Sequence, residues 1–237
     1  MQENLYLFLI LFIFMYMKQL IKRLLRESML SSIDDWETNT KDYGGVFGTP
    51  ISIDDETGDM FYLFVGFTEE EEYSSFSYSF QLVGDDGSAK TKLLIKREDV
   101  AKIIPNELKS NQSIMPIIFN LTRKLLTKYK PKIVFRETSE RLSEYSLMRY
   151  QEITNIFLNE FMYKLTKRGK DEFGHDFWYM ELVNETTEPI DENSEYLNVS
   201  SKVEREIKWE DKIRSILPMV KQDIIRINNN NNNNSKI

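Results

Sequence analysis

The sequence contains no cysteine. Disulfide frameworks, thiol catalysis, cysteine-ligated zinc and iron–sulfur clusters are therefore excluded. It has one histidine, His175, which also removes multi-histidine metal sites. Positive charge is in deficit: 31 Lys and Arg stand against 38 Asp and Glu, a net charge of -7. Binding to nucleic acid depends on a basic surface that displaces counterions, so an acidic whole argues against it. No Walker loop, GxGxxG, GxSxG or HExxH motif occurs, and no internal repeat. With 9 glycines and 6 prolines, turn-forming residues are scarce enough that their clusters mark loops.

What the chain has is apolar side chain. Hydrophobic residues make up 41% of 237 and aromatics 13%, enough to close a core. That length fits one domain with tails.

Residues 1–30 carry two features. Leu5–Met17 is an uncharged apolar run. It is short of the roughly 20 residues that a bilayer span needs. Two readings stay open, a membrane anchor or an untranslated start, with Met17 as the true beginning. If the run inserts, Lys18, Lys22, Arg23 and Arg26 follow it and hold the rest of the chain in the cytoplasm. From Met17 to Leu30 the spacing predicts a basic amphipathic helix, with Leu20, Ile21, Leu24 and Leu25 on its apolar side. Such a helix can lie on a membrane surface, dock in a groove or pack on its own domain.

Residues 31–183 read as one α+β domain. The stretch 31–60 is expected to be a loop, because Gly44, Gly45, Gly48 and Pro50 cluster there. Asp54–Asp59 lacks the calcium-loop spacing of an EF-hand and reads as an acidic turn. Three strands follow, Met60–Phe67, Phe76–Val83 and Ala89–Lys96, as an antiparallel meander with one buried face. Phe76, Tyr78, Phe80 and Leu82 alternate with Ser77, Ser79 and Gln81 in the second of them. A helix is predicted over Ser113–Tyr129, with Pro116 tolerated in its first turn. Lys132–Arg136 reads as a short central strand, Ser139–Phe161 as a second helix, and Met162–Lys167 and Asp176–Val183 as the last strands. The expected architecture is thus a mostly antiparallel sheet with two main helices on one face. Its core should include Phe64, Phe80, Leu94, Ile118, Leu125, Val134, Ile153 and Phe157.

Residues 184–227 begin as an acidic linker and continue, from Lys202, as a terminal helix broken near Pro218. Seven consecutive asparagines, Asn228–Asn234, fall in a tail, 228–237, that is expected to be disordered.

Three sets of residues are candidates for chemistry. His175, in a turn, is a candidate general base. Arg136 and Arg141 sit at a strand end and in the following helix, where arginine can clamp a carboxylate or phosphate. The alternative is a structural pair with Glu137, Glu140 or Glu144. Arg123, Lys124, Lys128, Lys130 and Lys132 form a basic patch near a helix C-terminus. It could meet phosphates or simply complement the helix dipole.

Met17–Ser28, MKQLIKRLLRES, resembles the N-terminus of many uncharacterised proteins of AT-rich tailed phages. That resemblance implies a viral origin and no activity. The order of predicted elements over about 60–183 is similar to the C-terminal portion of GNAT acyltransferases. The resemblance implies a coenzyme A pyrophosphate held by a Gly-rich turn after the fourth strand of that family. The corresponding stretch here, Lys96–Lys102, has no glycine and has adjacent carboxylates at Glu98 and Asp99. The function expected is that of a non-enzymatic accessory or structural protein with protein partners and no cofactor; the alternative is a divergent acyltransferase.

Overall fold

A computed structural model of the chain describes residues 39–53, 60–70, 75–85, 114–138, 144–183 and 201–234. The expectations for Leu5–Met17, the basic helix to Leu30, Asp54–Asp59, the strand Ala89–Lys96 with Leu94, Lys96–Lys102, Arg141 and the 184–200 linker lie outside them.

Among the described residues, seven strands form one sheet in the order β1-β2-β3-β4-β5-β7-β6. They are β1 (Lys41–Asp42), β2 (Val46–Ile53), β3 (Met60–Glu70), β4 (Ser75–Asp85), β5 (Ile133–Glu137), β6 (Tyr163–Lys170) and β7 (Asp176–Leu182). Of these strands only β4 and β5 run parallel, and each other described pair is antiparallel. Helix α1 (Ile114–Lys128) links β4 to β5. Helix α2 (Glu144–Asn155), continued by a wide π turn at Ile156–Glu160, links β5 to β6. Helix α3 is Lys202–Asn234. The chain is α+β with a mostly antiparallel sheet, as its sequence pattern predicts.

The expected loop at 31–60 contains strands instead. Gly44 and Gly45 take φ of 75° and 85°, so they make the tight turn between β1 and β2. Gly48 lies within β2, where a Cβ would meet the Phe64 ring at 2.8 Å; glycine is what lets that ring cross the strand. Pro50 also sits in β2, beside the register shift between Pro50 and Ser52. A proline without an N–H is admissible there because two-residue β1 ends before reaching it. The meander is therefore β2-β3-β4.

It is also buried on both faces rather than one. On the first face, Phe61, Leu63, Val65 and Phe67 of β3 and Tyr78 of β4 pack with Ile118, Leu121 and Leu125 of α1 and Ile153 and Phe157 near the end of α2. These helix positions recur at three- and four-residue intervals, which is why one stripe of each helix reaches the sheet. On the opposite face, Val46, Tyr62, Phe64 and Val83 pack against Trp209, Ile213, Ile216, Leu217 and Val220 of α3. Phe64 is core as expected, but under the third helix. Phe80 is only partly buried, at the edge of the first cluster.

Helix α3 runs through Pro218 rather than breaking there. Proline removes one ladder bond and crowds the carbonyl four residues earlier. Here Pro218 and Arg214 are both exposed, so water can take that carbonyl, while the apolar stripe on either side holds the helix to the sheet. The helix also extends over Asn228–Asn234, where disorder was expected. Its start is set by Ser201 and Glu204. The Glu204 amide donates to Ser201 Oγ at 3.3 Å, and the Ser201 amide to Glu204 Oε2 at 2.9 Å, a reciprocal capping box.

Val134 is fully buried and lies between Phe76 of β4 and Met180 of β7. Val134→Asp places a charge there without a partner, at a cost of several kcal/mol, comparable with whole-domain stability. The variant should lose its cooperative thermal transition. A soluble Val134→Asp protein that melts cooperatively would show that β5 is not central.

Candidate functional site

Strands β4 and β5 are paired only from Ser75–Ile133 to Ser77–Phe135. Beyond that point β4 continues through Tyr78 and Phe80, and among the described residues its pairing with β5 ends. Arg136 of β5 lies at the opening, on the face covered by α1 and α2.

The structure does not leave Arg136 available as a surface clamp. It is 1% exposed. Its Nη1 donates to the Tyr150 carbonyl at 2.7 Å and to Thr154 Oγ1 at 2.8 Å, both on α2. The guanidinium carbon stands 4.9 Å from the Trp178 ring, 5.0 Å from Tyr150 and 5.8 Å from Tyr78. Burial drives its pKa down to about 10, with Tyr78 and Tyr150 opposing. The group stays charged at neutral pH and is held by neutral oxygens and π faces. The expected pair with Glu137 does not form: Glu137 accepts from Arg205 of α3 at 2.6 Å. The alternation of the sheet is the reason, since neighbouring residues on a strand point to opposite faces.

Around Arg136 the gap is filled. Tyr78 donates or accepts at 2.7 Å with Thr122 of α1, and its ring meets Phe157 edge-on at 5.5 Å. Phe80 meets Tyr150 at 5.5 Å. Desolvation raises the Tyr78 phenol to about 12, so it stays protonated.

The basic patch is neutralised in part. Arg123 makes two 2.7 Å bonds to Glu160, and Lys128 pairs with Asp42, which also accepts from Tyr129 at 2.7 Å. Lys124 is likewise engaged. Lys130 and Lys132 remain at the end of α1 without a described carboxylate partner. Cations close to a helix C-terminus complement its dipole.

His175 is a brace. Its Nδ1 lies 2.7 Å from Asp171 Oδ2 and 3.2 Å from Lys202 Nζ. Asp171 Oδ1 also accepts the amides of Phe173 at 2.9 Å and His175 at 2.7 Å. Burial works against the Asp171 carboxylate, but these bonds outweigh it and hold the carboxyl below the usual range. The β6–β7 turn is thereby tied internally and, through Lys202, to the start of α3.

An open pocket of about 480 Å³ lies beside that brace, on the face of the sheet opposite Arg136. Its floor is Phe135, Phe177 and Tyr179, with ring centroids 4.7 Å apart for Phe135–Tyr179 and 5.9 Å for Phe177–Tyr179. Arg205 stacks 4.5 Å above Phe135 while holding Glu137. Nothing in the sequence pattern singles the pocket out, because its walls come from three separated segments. The aromatic alternation of Phe177 and Tyr179 was the one available signal. Among the described residues no cluster of acids and histidine is suited to a metal ion.

Replacement of Arg136 separates shape from charge. Lysine buries the same charge but cannot stack a planar group between rings while reaching both oxygens of α2. Methionine removes the charge and keeps most of the volume. Arg136→Lys should therefore melt below Arg136→Met, by about 2 kcal/mol. Thermal denaturation with Arg136→Lys the more stable of the two would contradict this account of the plug.

No protein-family model matches the sequence, and no curated protein matches it. Among solved structures, a variant of spermidine N-acetyltransferase from Vibrio cholerae aligns over 65% of this chain and 70% of that chain, at 10% identity and a TM-score of 0.29. A superposition that loose establishes no residue equivalence. The described elements run β1, β2, β3, β4, α1, β5, α2, β6 and β7, whereas the element order likened to the acyltransferases over 60–183 used Ala89–Lys96 as its third strand, which lies outside the described residues.

Proposed function

We propose that this chain is a non-enzymatic interaction protein built on an acyltransferase-like order of elements. The observation that carries this reading is the plug at the parting of β4 and β5. Arg136, Tyr78, Tyr150 and Trp178 occupy that space with one another, and Arg136 and Trp178 are almost fully buried. A transferase needs an opening through which a reacting carbonyl meets its nucleophile at about 3–3.5 Å. Among the described residues the gap presents packed rings instead. Contact with a partner is further supported by exposed apolar side chains at Phe173, Val203 and Ile207, at and beside the pocket on the other face. The viral origin of such a protein rests on the resemblance of Met17–Ser28 alone. The second reading, a divergent acyltransferase, is favoured by element order only, and a fold does not fix a function.

Calorimetry with acetyl-coenzyme A distinguishes the two. The purified chain should give no binding heat at millimolar ligand. A saturating isotherm in the micromolar range would contradict the proposal, because it requires both an open gap and a phosphate cradle.

A further inference from the structure

We propose that the outer edge of β6 takes up an extended acidic segment of a protein partner as a further strand of the sheet. The inference deepens the interaction-protein reading by naming the partner's chemistry, and rests on that reading for its role in function.

The backbone of β6 offers the pairing. Among the described residues β6 is the last strand of the sheet and pairs with β7 alone. Its hairpin closes through the Asp171 amide, which donates to the His175 carbonyl at 2.9 Å. Antiparallel ladders alternate bonded and non-bonded pairs. The next pair inward, Lys170–Asp176, and then Arg168–Trp178 therefore turn their β6 amides and carbonyls away from β7. Arg168 and Lys170 present these groups to an incoming strand, the arrangement on which strand addition depends. The opposite end of the sheet differs. There β1 is two residues long, and its side chains are already engaged, Lys41 with Asp223 and Asp42 with Lys128 and Tyr129.

Charge decides which strand is admitted. β6 reads Tyr-Lys-Leu-Thr-Lys-Arg-Gly-Lys, with cations at Lys164, Lys167, Arg168 and Lys170 and no acid. In a chain of net charge -7 that is a local inversion of sign. Lys164 meets Glu181 at 3.0 Å and Lys170 meets Asp176 at 2.8 Å, and both lysines remain partly exposed. Arg168 lies 5.8 Å from the Trp178 ring, and Lys167 has no carboxylate partner among the described residues. The cations thus outnumber the carboxylates that face them. Lysine along an edge also keeps copies of a sheet apart, because two such strands set like charges opposite one another. A second copy of β6 is disfavoured on that ground, and the same charges favour an acidic strand. Residues facing Arg168 and Lys170 lie two apart on the partner, so the fitting segment carries acids at alternate positions. The residue between them stands opposite Gly169, beside the half-buried Phe177 ring, which suits a β-branched side chain.

The test is a titration of the full chain with three capped peptides, followed by amide resonances and amide hydrogen exchange. The first peptide alternates valine and aspartate. The second has lysine in place of aspartate. The third keeps the aspartates and has proline at two inner valines, since proline cannot donate to a ladder. The first should shift the β6 amides saturably and slow exchange of the Arg168 and Lys170 amides, which exchange freely in the unbound chain. The lysine peptide should not bind, and the proline peptide should bind about fivefold more weakly than the first, or worse, for the loss of backbone bonds. Arg168→Glu should weaken the first peptide about fivefold, because it sets like charges opposite one another. If that variant does not fold, the comparison of peptides on the unaltered chain decides. No saturable shift with the acidic peptide up to about 10 mM, well above weak-site Kd values, would overturn the proposal. So would equal binding of the proline peptide or of the lysine peptide. Protection of the Arg168 and Lys170 amides in the unbound chain would overturn it too, because the edge would already be covered. Failure here leaves the plug at β4 and β5 untouched, whereas binding of acetyl-coenzyme A would sink the interaction-protein reading and leave this edge standing.

Discussion

The constraint on which everything else depends is that the middle of this sheet is apolar on both faces. Strand β3 is buried from Phe61 to Thr68, its odd-numbered side chains turned to one side and its even-numbered ones to the other. A sheet of this kind cannot leave either face in water. Helices α1 and α2 cover the side of Leu63 and Val65; α3 covers the side of Tyr62 and Phe64. Five large side chains of α3 are involved, and burying each contributes roughly 2 kcal/mol, so the helix supplies roughly 10 kcal/mol of apolar burial. Whole domains retain only about 5–15 kcal/mol of net stability. The terminal helix is thus an integral part of the domain rather than an appendage beyond a linker.

Two-sided burial also explains where polar groups go. Arg136 points to the face of α1 and α2, where no described carboxylate waits, and it settles for Tyr150, Thr154 and three rings. Its neighbour Glu137 points to the other face and meets Arg205 of α3. One strand therefore anchors both layers at once. The parting of β4 and β5 is filled with a buried cation and aromatic rings, while the pocket of about 480 Å³ lies on the opposite face, where Arg205 covers Phe135 and Tyr179 is buried beside it. The residues that fit chemistry and those that fit contact have in this sense exchanged sides.

Much of this was legible in the sequence. The apolar run around Val134 bounded by Pro131, the stripes of Ile118, Leu121 and Leu125, and the alternation of Phe76, Tyr78 and Phe80 all act locally, through period and sterics. β2 was not legible because Gly44, Gly45, Gly48 and Pro50 signal turns, while the reason for two of them is ring packing by Phe64 and a short edge neighbour. The unbroken course of α3 was hidden by Pro218, whose cost depends on whether the vacated carbonyl faces water. Arg136 was recognised as a singular residue, but its surroundings depend on which face it takes, and so does the partner of Glu137. The capping pair Ser201 and Glu204, followed by Trp209, Ile213, Ile216 and Val220, is the sequence signature of a packed helix, and that helix starts at Lys202, where the sequence pattern places it. The candidate pocket draws on β5, on β6, β7 and the turn between them, and on the start of α3, so no single stretch announces it.

The claim that the sheet requires cover on both faces is tested most directly by native-state hydrogen exchange on the full chain. If α3 is part of the domain, amides of Ile213 to Val220 and of Tyr62 to Val65 should exchange only through the same global opening, with one free energy and one denaturant dependence. Exchange of the α3 amides through a separate opening of low free energy, while those of β3 stay protected, would show that the second face does not need the helix and would contradict the account.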